Sequence, residues 1–251
     1  MNPFSLEGRR AMVTGANTGI GQGIALSLAQ AGAEVLAVGR SSMAETERLI
    51  AGAGGRMTAI KADLGRTGDV AAMFDRAWDE HGPIDILVNN AGIIRRADAV
   101  DFSEADWDDV IDVNLKSVFL LCQAMARKAF AENRTAKIVN VASMLSFQGG
   151  IRVASYTASK SAVAGLTKLL ANEWAAKGIN VNAIAPGYIV SNNTEALRND
   201  PDRSADILKR IPAGRWGSPA DIGGTAVYLA SDAANYVHGA IFPVDGGWLA
   251  R

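Results

Sequence analysis

The sequence has almost none of the residues that build metal centres and disulfide frameworks. It contains one cysteine, Cys122, and two histidines, His81 and His238, far apart along 251 residues. One cysteine cannot form an internal disulfide, and these residues do not have the spacing of zinc ligands. We therefore predict no metal site, and we interpret Cys122, inside "SVFLLCQAM", as a buried helix residue.

An excess of one charge and long hydrophobic runs are also missing. With 25 basic and 26 acidic residues, the formal net charge of -1 gives no electrostatic footprint for a nucleic-acid backbone or an anionic membrane. No segment approaches the roughly 20 apolar residues of a membrane span, and the first ten residues hold no signal-peptide core. We expect a cytoplasmic protein with no nucleic-acid partner and no membrane partner.

Seven short apolar segments, by contrast, alternate with helical patterns such as Ile20–Ala31 and Val70–His81. This alternation predicts βαβ crossovers, and therefore an α/β fold: one doubly wound, Rossmann-type parallel sheet of seven strands with helices on both faces. The predicted strands are "RAMVTG", "EVLAVG", "RMTAIKAD", "IDILVNNAG", "AKIVNVAS", "INVNAIAPG" and "AIFPVDGG".

No linker, charge block or internal repeat divides residues 1–251, which predicts a single domain. The least regular stretch is Tyr188–Pro219, which is long and polar where a strand should already lead into its helix. Long loops of this kind are usually lids or binding loops. We therefore predict a substrate lid at about 188–219.

The segment "TGANTGIG", Thr14–Gly21, joins the first predicted strand to the first predicted helix. Its glycines allow a tight turn and the close approach of a pyrophosphate, while the helix N-terminus offers free N–H groups. The spacing Gly-x3-Gly-x-Gly departs from the generic dinucleotide fingerprint, but the position between strand and helix favours a nucleotide. The turn residues expected to bind this cofactor are Gly15, Asn17, Thr18, Gly19, Ile20 and Gly21.

The second strand ends at Gly39 and Arg40, where an acidic residue would hold the adenosine ribose of NAD. Without that carboxylate a 2′-phosphate is not repelled, and a guanidinium can bind it, with Ser41 as a further donor. The pair therefore favours NADP. The ends of the next two strands are expected to add Asp63, Leu64, Asn90, Ala91 and Gly92 to the cofactor site.

The segment "SYTASK" places Tyr156 and Lys160 one helical turn apart, on one face. Neither side chain titrates near neutrality alone, so the pair is either exposed surface or a mutually tuned acid and base. In the second case the lysine ammonium would stabilise the phenolate and lower the pKa of Tyr156.

Taken together, "TGANTGIG", "NNAG", "DVNLKS", "YTASK" and "APG" resemble the short-chain dehydrogenase/reductase family, in order and over nearly the whole chain. The resemblance implies an NAD(P)-dependent oxidoreductase that moves a hydride between nicotinamide and a carbonyl or secondary alcohol. It implies that Tyr156 transfers the proton, Lys160 also holds the nicotinamide ribose, Ser143 polarises the substrate oxygen and Asn114 anchors a water. The further cofactor contacts that it implies are Pro186, Gly187, Ile189 and Thr194, with Ser191 as the alternative hydroxyl.

Three arginines, Arg95, Arg96 and Arg152, follow the strand ends near the reacting carbon and suggest a substrate with a carboxylate. Ion pairing with Asp98 or Asp101 is an equally good interpretation. "NNAGIIRR", "RIPAGRWG" and "DGGWLAR" resemble the 2-deoxy-D-gluconate 3-dehydrogenase group of the family, also called 2-dehydro-3-deoxy-D-gluconate 5-dehydrogenase. That group acts on keto-deoxy sugar acids and is generally regarded as using NAD. The implied contacts to a small anionic sugar acid are Arg95, Ser143, Gln148, Arg152, Tyr156 and Asn193, with Asn192 and Arg215 as further candidate contacts.

The family resemblance also implies a homotetramer, in which C-terminal residues can approach a neighbouring subunit's site. Two alternatives remain at this stage. One is a short-chain reductase of another polar carbonyl substrate, such as a neutral sugar, a polyol or a uronate. The other is a dinucleotide-binding sensor without turnover, because a fold does not fix a function.

Overall fold

The computed structural model describes residues 2–250, so the two ends of the predicted 1–251 domain, Met1 and Arg251, lie outside the described residues. Seven parallel strands form one sheet in the order β3-β2-β1-β4-β5-β6-β7. The predicted α/β fold and all seven predicted strands are confirmed. The strands are β1 (Arg10–Thr14), β2 (Glu34–Gly39), β3 (Arg56–Lys61), β4 (Ile86–Asn89), β5 (Ala136–Val141), β6 (Ile179–Pro186) and β7 (Ile241–Val244).

Helices connect these strands, because two parallel neighbours in a sheet need a crossover connection between them. They are α1 (Gly19–Gln30), α2 (Ala44–Gly52), α3 (Thr67–His81), α4 (Glu104–Ile111), α5 (Ser117–Ala131), α6 (Ala154–Trp174), α7 (Glu195–Arg198), α8 (Pro201–Arg210) and α9 (Pro219–Ala230). A π-helical turn, Asp112–Lys116, separates α4 from α5 without ending the helix.

Two apolar layers, one on each face of the sheet, hold the fold together. One layer gathers side chains of α3, α5 and α6, with Phe74 and Met125 fully buried. The other gathers α1, α2 and α9 around Ile24 and Ile222. Strands buried on both faces explain why the sequence shows near-continuous apolar runs instead of alternation.

The strand order reverses beside β1, which pairs with β2 on one side and with β4 on the other. Val13 lies between Ala37 and Val88 in this register. Loops at the carboxyl ends of such neighbouring strands diverge to opposite faces, which opens a crevice where ligands bind in open α/β sheets. The predicted glycine turn and the segment after β4 both begin at this crevice.

Residues 188–219 leave β6 and return to α9 with only short regular pieces. A 3₁₀ turn at Asn192–Thr194, the four-residue α7 and the ten-residue α8 make up most of the segment. An isolated parallel bridge between Ile189 and Gly217 closes its base. Across residues 2–250, no helix combines the length and apolar character needed to cross a membrane.

Candidate active site

The glycine turn packs so tightly against the segment after β4 that side chains cannot be added. Gly15 has φ +66°, and a Cβ there would lie 2.9 Å from the Cα of Ala91. A Cβ on Gly21 would overlap the carbonyl oxygen of Gly15. Asn90 fixes the same junction, because its Nδ2 donates to the carbonyl of Thr14 at 2.9 Å. Without side chains at Gly15 and Gly21, a ligand can approach the backbone of the turn closely.

The first turn of α1 keeps its N–H groups available. Within residues 2–250, the side chain of the N-cap residue Thr18 makes no capping hydrogen bond. Free N–H groups and the positive end of the helix dipole suit a pyrophosphate. The donor set at this end of the crevice therefore fits a dinucleotide.

Two side chains that could hold a phosphate, those of Arg40 and Ser41, lie at the end of β2. Asn17 Nδ2 donates to Ser41 Oγ at 2.8 Å, so the Ser41 hydroxyl proton is left to donate elsewhere. Arg40 is 65% exposed and its guanidinium stands 3.9 Å from a carboxylate oxygen of Asp63, which is a loose ion pair. Both groups are available to a 2′-phosphate, because an exposed pair at that distance contributes little.

One cavity of about 380 Å³ connects the glycine turn with Tyr156 and Lys160. Most of the predicted cofactor residues line this cavity, including all six residues of the glycine turn. Asn193, from the predicted substrate set, lines it too. Asn192, also implied as a substrate contact, lines the cavity as well, whereas Arg215 pairs with Asp221 at 2.7 Å and, within residues 2–250, lies outside this lining. The lining residues that the sequence did not predict are Val38, Ala62, Ile93, Val113 and Val141. Val38 and Val141 are strand ends and could have been found from the predicted strands.

Four predicted cofactor residues are not part of this lining in residues 2–250: Pro186, Gly187, Ile189 and Thr194. Thr194 instead closes a capping box, because its Oγ1 accepts from Ser191 N at 3.1 Å and donates to Ile189 O at 2.7 Å. Ser191 lines the cavity. Of the two hydroxyls left open by the sequence, the structure places Ser191 at the cavity and Thr194 behind it.

Asn114 is fully buried in the π-helical turn, where the widened backbone turns its amide toward the segment after β4. Its Oδ1 accepts from Ile93 N at 2.8 Å, and its Nδ2 donates to Ile93 O at 2.9 Å. The Asn114 amide thus makes two hydrogen bonds to the backbone of Ile93, one to its N–H and one to its carbonyl, as a paired β-strand does. This pairing positions the chain directly after Gly92, at the cavity wall.

Ser143 ends the stretch after β5 and caps the 3₁₀ turn Met144–Ser146, since its Oγ accepts from Leu145 N at 3.2 Å. Two serines fasten this turn to α6. Ser146 donates to the carbonyl of Lys160 at 2.6 Å, and Ser161 donates to the carbonyl of Leu145 at 3.1 Å. We call these two hydrogen bonds the serine staple; they fix Ser143 relative to the helix that carries Tyr156.

Tyr156 lies half-buried in the cavity wall. Burial raises the pKa of its phenol above the usual value, while hydrogen bonding with Ser143 and the positive charge of Arg96 act in the opposite direction. The sequence analysis predicted a lowered pKa, and this prediction was wrong for the chain alone because burial outweighs both stabilising contacts. Tyr156 therefore keeps its proton at neutral pH.

Lys160 is 4% exposed, and its Nζ donates to the carbonyl of Val141 at 2.6 Å. The ammonium lies 5.6 Å from the centre of the Tyr156 ring. Burial lowers the pKa of Lys160 to about 8. A lysine that changes charge this close to neutrality can respond to proton transfer at its neighbour.

Arg95 and Arg152, both predicted to contact the substrate, are held by carboxylates. Arg95 pairs with Asp106 at 3.2 Å and Asp109 at 3.1 Å. Arg152 pairs with Asp98 at 3.1 Å, which is the ion pair that the sequence analysis gave as its alternative. These ion pairs neutralise both guanidinium groups. Among the described residues, neither Arg95 nor Arg152 is part of the cavity lining.

Arg96 differs from Arg95 and Arg152 in its partner. It has no carboxylate partner among residues 2–250, and its guanidinium donates instead to the carbonyl of Asn193 at 2.9 Å. Its charge reaches the phenol of Tyr156 and helps to lower the pKa of that group. Of the three arginines, Arg96 is thus the one that lies beside Tyr156 without a carboxylate partner among residues 2–250.

Gln148, also predicted as a substrate contact, turns its amide oxygen to another part of the chain. Its Oε1 accepts from the indole N–H of Trp248 at 3.2 Å. This contact joins the stretch after β5 to the 3₁₀ turn Trp248–Ala250 near the C-terminus. The sequence contained no local signal for it, because the partners are 100 residues apart.

Comparison with known proteins gives consistent matches. The family model described as enoyl-(acyl carrier protein) reductase matches residues 15–249. A 2-dehydro-3-deoxy-D-gluconate 5-dehydrogenase of Escherichia coli is 57% identical over 251 residues, covering 100% of this chain and 99% of that protein. The relatives of the same name in Dickeya dadantii and Bacillus subtilis are each 56% identical.

Two solved structures extend the comparison to bound cofactor. A protein of Agrobacterium tumefaciens, provisionally described as a 2-deoxy-D-gluconate 3-dehydrogenase and solved with NADP, is 64% identical with a TM-score of 0.95. A provisionally described NAD(P)-dependent gluconate 5-dehydrogenase of Beutenbergia cavernae, with NADP at low occupancy, is 51% identical with a TM-score of 0.96. Both matches cover 100% of each chain.

Proposed function

The chain belongs to the short-chain dehydrogenase/reductase family, and we propose that it moves a hydride between NADP(H) and a deoxy sugar acid of the 2-dehydro-3-deoxy-D-gluconate type. One observation carries this proposal. A single cavity has a phosphate-binding turn at one end and a buried lysine–tyrosine pair at the other, with a free arginine beside the pair. The names of the relatives supply the substrate class.

Proton handling is the part of the reaction that the chain performs itself. A bound nicotinamide supplies or accepts the hydride. Tyr156, protonated at neutral pH, donates its phenolic proton to the ketone oxygen during reduction and takes it back during oxidation. Lys160 stabilises the phenolate through its charge, and Ser143, which hydrogen-bonds with Tyr156, would turn its hydroxyl proton to the substrate oxygen when substrate is bound.

The cofactor preference follows from the end of β2. We propose that Arg40 and Ser41 hold the 2′-phosphate of NADP, because neither has a strong competing partner. Replacing Arg40 by Ala should raise the KM for NADPH about 10- to 100-fold, the value of a charge-assisted hydrogen bond, and change the KM for NADH little. Equal changes for both cofactors would remove the phosphate contact from the proposal.

The position of Arg96 supports this anionic substrate class. A carboxylate that approaches Tyr156 meets this guanidinium as the free cation of the three neighbouring arginines. A guanidinium matches a carboxylate geometrically and is always charged. Polar groups of Asn192 and Asn193 line the adjoining wall and suit the hydroxyl groups of a sugar acid. A neutral sugar or a long acyl chain would leave the Arg96 charge without a partner.

The test is a panel of substrates with the purified full chain, followed by the absorbance of the reduced nicotinamide. Keto-deoxy sugar acids with NADPH should give the highest kcat/KM, and the matching neutral ketoses should give much lower values. A neutral ketose that matches the sugar acids would overturn the substrate class. Binding of NADPH without oxidation by any carbonyl compound would overturn the enzymatic proposal and favour a sensor.

Three further expectations of the sequence analysis remain proposals. Residues 188–219 act as a lid, the assembly is a homotetramer, and the protein is cytoplasmic. Light scattering of the purified chain tests the tetramer, with a monomer as the contradicting result. Fractionation of the source cells tests the location, and recovery with membranes or in the medium would contradict it.

A further inference from the structure

An apolar cluster fastens the segment 188–219 to the residues around Ser143. Trp248, which is 4% exposed, packs with Met144, Ile207 and Ile211, and Tyr188 lies against the same group. Met144 directly follows Ser143, whereas Ile207 belongs to α8 and Ile211 directly follows it. One indole therefore contacts both the substrate-binding segment and the neighbour of a predicted catalytic residue.

The contacts of Trp248 are directional as well as apolar. The ring of Tyr188 stands 4.7 Å from the indole at 62°, an edge-on arrangement that aromatic rings favour. The guanidinium of Arg210, at the end of α8, lies 4.0 Å above the indole centre, within the range of a cation–π contact. The indole N–H donates to Gln148. Three different segments thus make directional contacts with this one ring.

We propose that Trp248 is a positioning residue for the substrate, which holds α8, Tyr188 and Gln148 in the arrangement that closes the substrate-binding end of the cavity. This inference rests on the proposed function and deepens it, because it assigns the closing of the site to the turn near the C-terminus. Gln148 then serves as the acceptor that orients the indole.

We call the residues proposed to transfer the proton, Asn114, Ser143, Tyr156 and Lys160, together with Arg96 beside them, the catalytic wall. Within residues 2–250, one hydrogen bond joins this wall to the segment 188–219, from the guanidinium of Arg96 to the carbonyl of Asn193. Arg96 is also the proposed carboxylate receptor, so this bond must compete with the substrate. When Arg96 turns to a carboxylate, the Trp248 contacts are what keep α8 in place, because they use none of the groups offered to the substrate.

The hypothesis is tested with two substitutions that separate the ring from its hydrogen bond. Trp248→Leu removes the aromatic contacts to Tyr188 and Arg210, and Trp248→Phe keeps a ring but removes the N–H donor. Trp174→Leu is the matched control, because Trp174 is also buried at 9% exposure but packs against Phe130. It removes an indole of similar burial from the far end of α6.

Hydrogen exchange of residues 195–210 is the first readout, and it requires no substrate. Trp248→Leu should accelerate exchange in this segment, Trp248→Phe should do so weakly, and Trp174→Leu should leave it as in the wild type. Slow exchange retained in a folded Trp248→Leu protein would overturn the proposal. Should that variant not fold, Trp248→Phe carries the same comparison, and wild-type exchange in it would count against the hydrogen-bonded arrangement.

Kinetics with the sugar acid supply the second readout. A misplaced wall should raise the KM for the sugar acid about 10- to 100-fold in Trp248→Leu, with the dissociation constant of NADPH nearly unchanged. An equal loss for cofactor and substrate would indicate general damage and would contradict positioning. If the wild type does not act on sugar acids, the proposed function fails, whereas the exchange result still decides on the role of Trp248.

Discussion

The catalytic wall and the segment 188–219 face each other across one cavity, but they are held in different ways. Asn114, Ser143 and Lys160 are all at most 9% exposed. Asn114 and Lys160 make hydrogen bonds to the backbone of other segments, whereas Ser143 caps its own turn, which the serine staple ties to α6. The facing segment consists of short helices held at their apolar side by Trp248. The rigid wall suits proton transfer, which depends on geometry, and the lightly held segment suits a part that must admit and retain substrate.

The strongest test of the catalytic wall is Tyr156→Phe. This substitution removes the transferred proton and keeps the ring, so turnover should fall by about 100- to 10 000-fold. The dissociation constant of NADPH should stay within about twofold, because the rest of the cavity is intact. Stopped-flow turnover and fluorescence titration measure the two quantities. Activity near the wild-type level would mean that another group transfers the proton.

The second substitution is Arg96→Leu, which changes the arginine beside Tyr156. Loss of the free guanidinium should lower kcat/KM for the sugar acid about 10- to 100-fold, the value of a charge-assisted hydrogen bond. Arg152→Leu is the matched control, since Arg152 is neutralised by Asp98, and its effect should stay within about twofold. Similar losses in both variants would show that the wall does not distinguish the paired from the unpaired arginine.

The pH dependence of kcat/KM for ketone reduction sharpens the role of Lys160. Because the pKa of Lys160 is lowered to about 8, the charge that stabilises the phenolate is present below this pH and lost above it. The raised pKa of Tyr156 keeps the donor protonated through the same range. We expect kcat/KM to fall as the pH rises through about 8, and a flat profile across that value would contradict the assignment.

Ser146→Ala is expected to have the smallest effect of the four. It removes one hydrogen bond of the serine staple, from Ser146 to the carbonyl of Lys160, so kcat should fall only about two- to tenfold. The KM for NADPH should not change. Ser231→Ala is the control, because Ser231 also donates to a carbonyl, that of Tyr228, but far from the cavity. Equal kcat values in the two variants would show that the staple does not position Ser143.

Features that depend on local sequence were predicted correctly. The seven strands follow from valine- and isoleucine-rich runs, and the i,i+4 spacing alone puts Tyr156 and Lys160 on one face of α6. The glycine turn was recognised from its place after β1. In each case neighbouring residues carry the whole signal, so no knowledge of packing was needed.

Features that depend on packing were not predictable in the same way. Arg95 and Arg96 are adjacent residues of the same type, so the sequence does not distinguish them. Only the fold shows that Asp106 and Asp109 neutralise Arg95. The direction of the Tyr156 pKa depends on burial, which the spacing of "YTASK" does not contain. Trp248 and Gln148 meet through chain reversal over 100 residues.

The π-helical turn at Asp112–Lys116 has a consequence for insertions and deletions. Because the helix continues through it from α4 to α5, removing one residue would restore the ordinary 3.6-residue repeat and leave α5 in phase, with its apolar face still on the sheet. The widened backbone that turns the Asn114 amide toward Ile93 would be lost, and with it both hydrogen bonds that position the chain after Gly92. The length of this stretch is therefore constrained by the site and not by the packing of α5, although it lies in the middle of a helix and not in a loop.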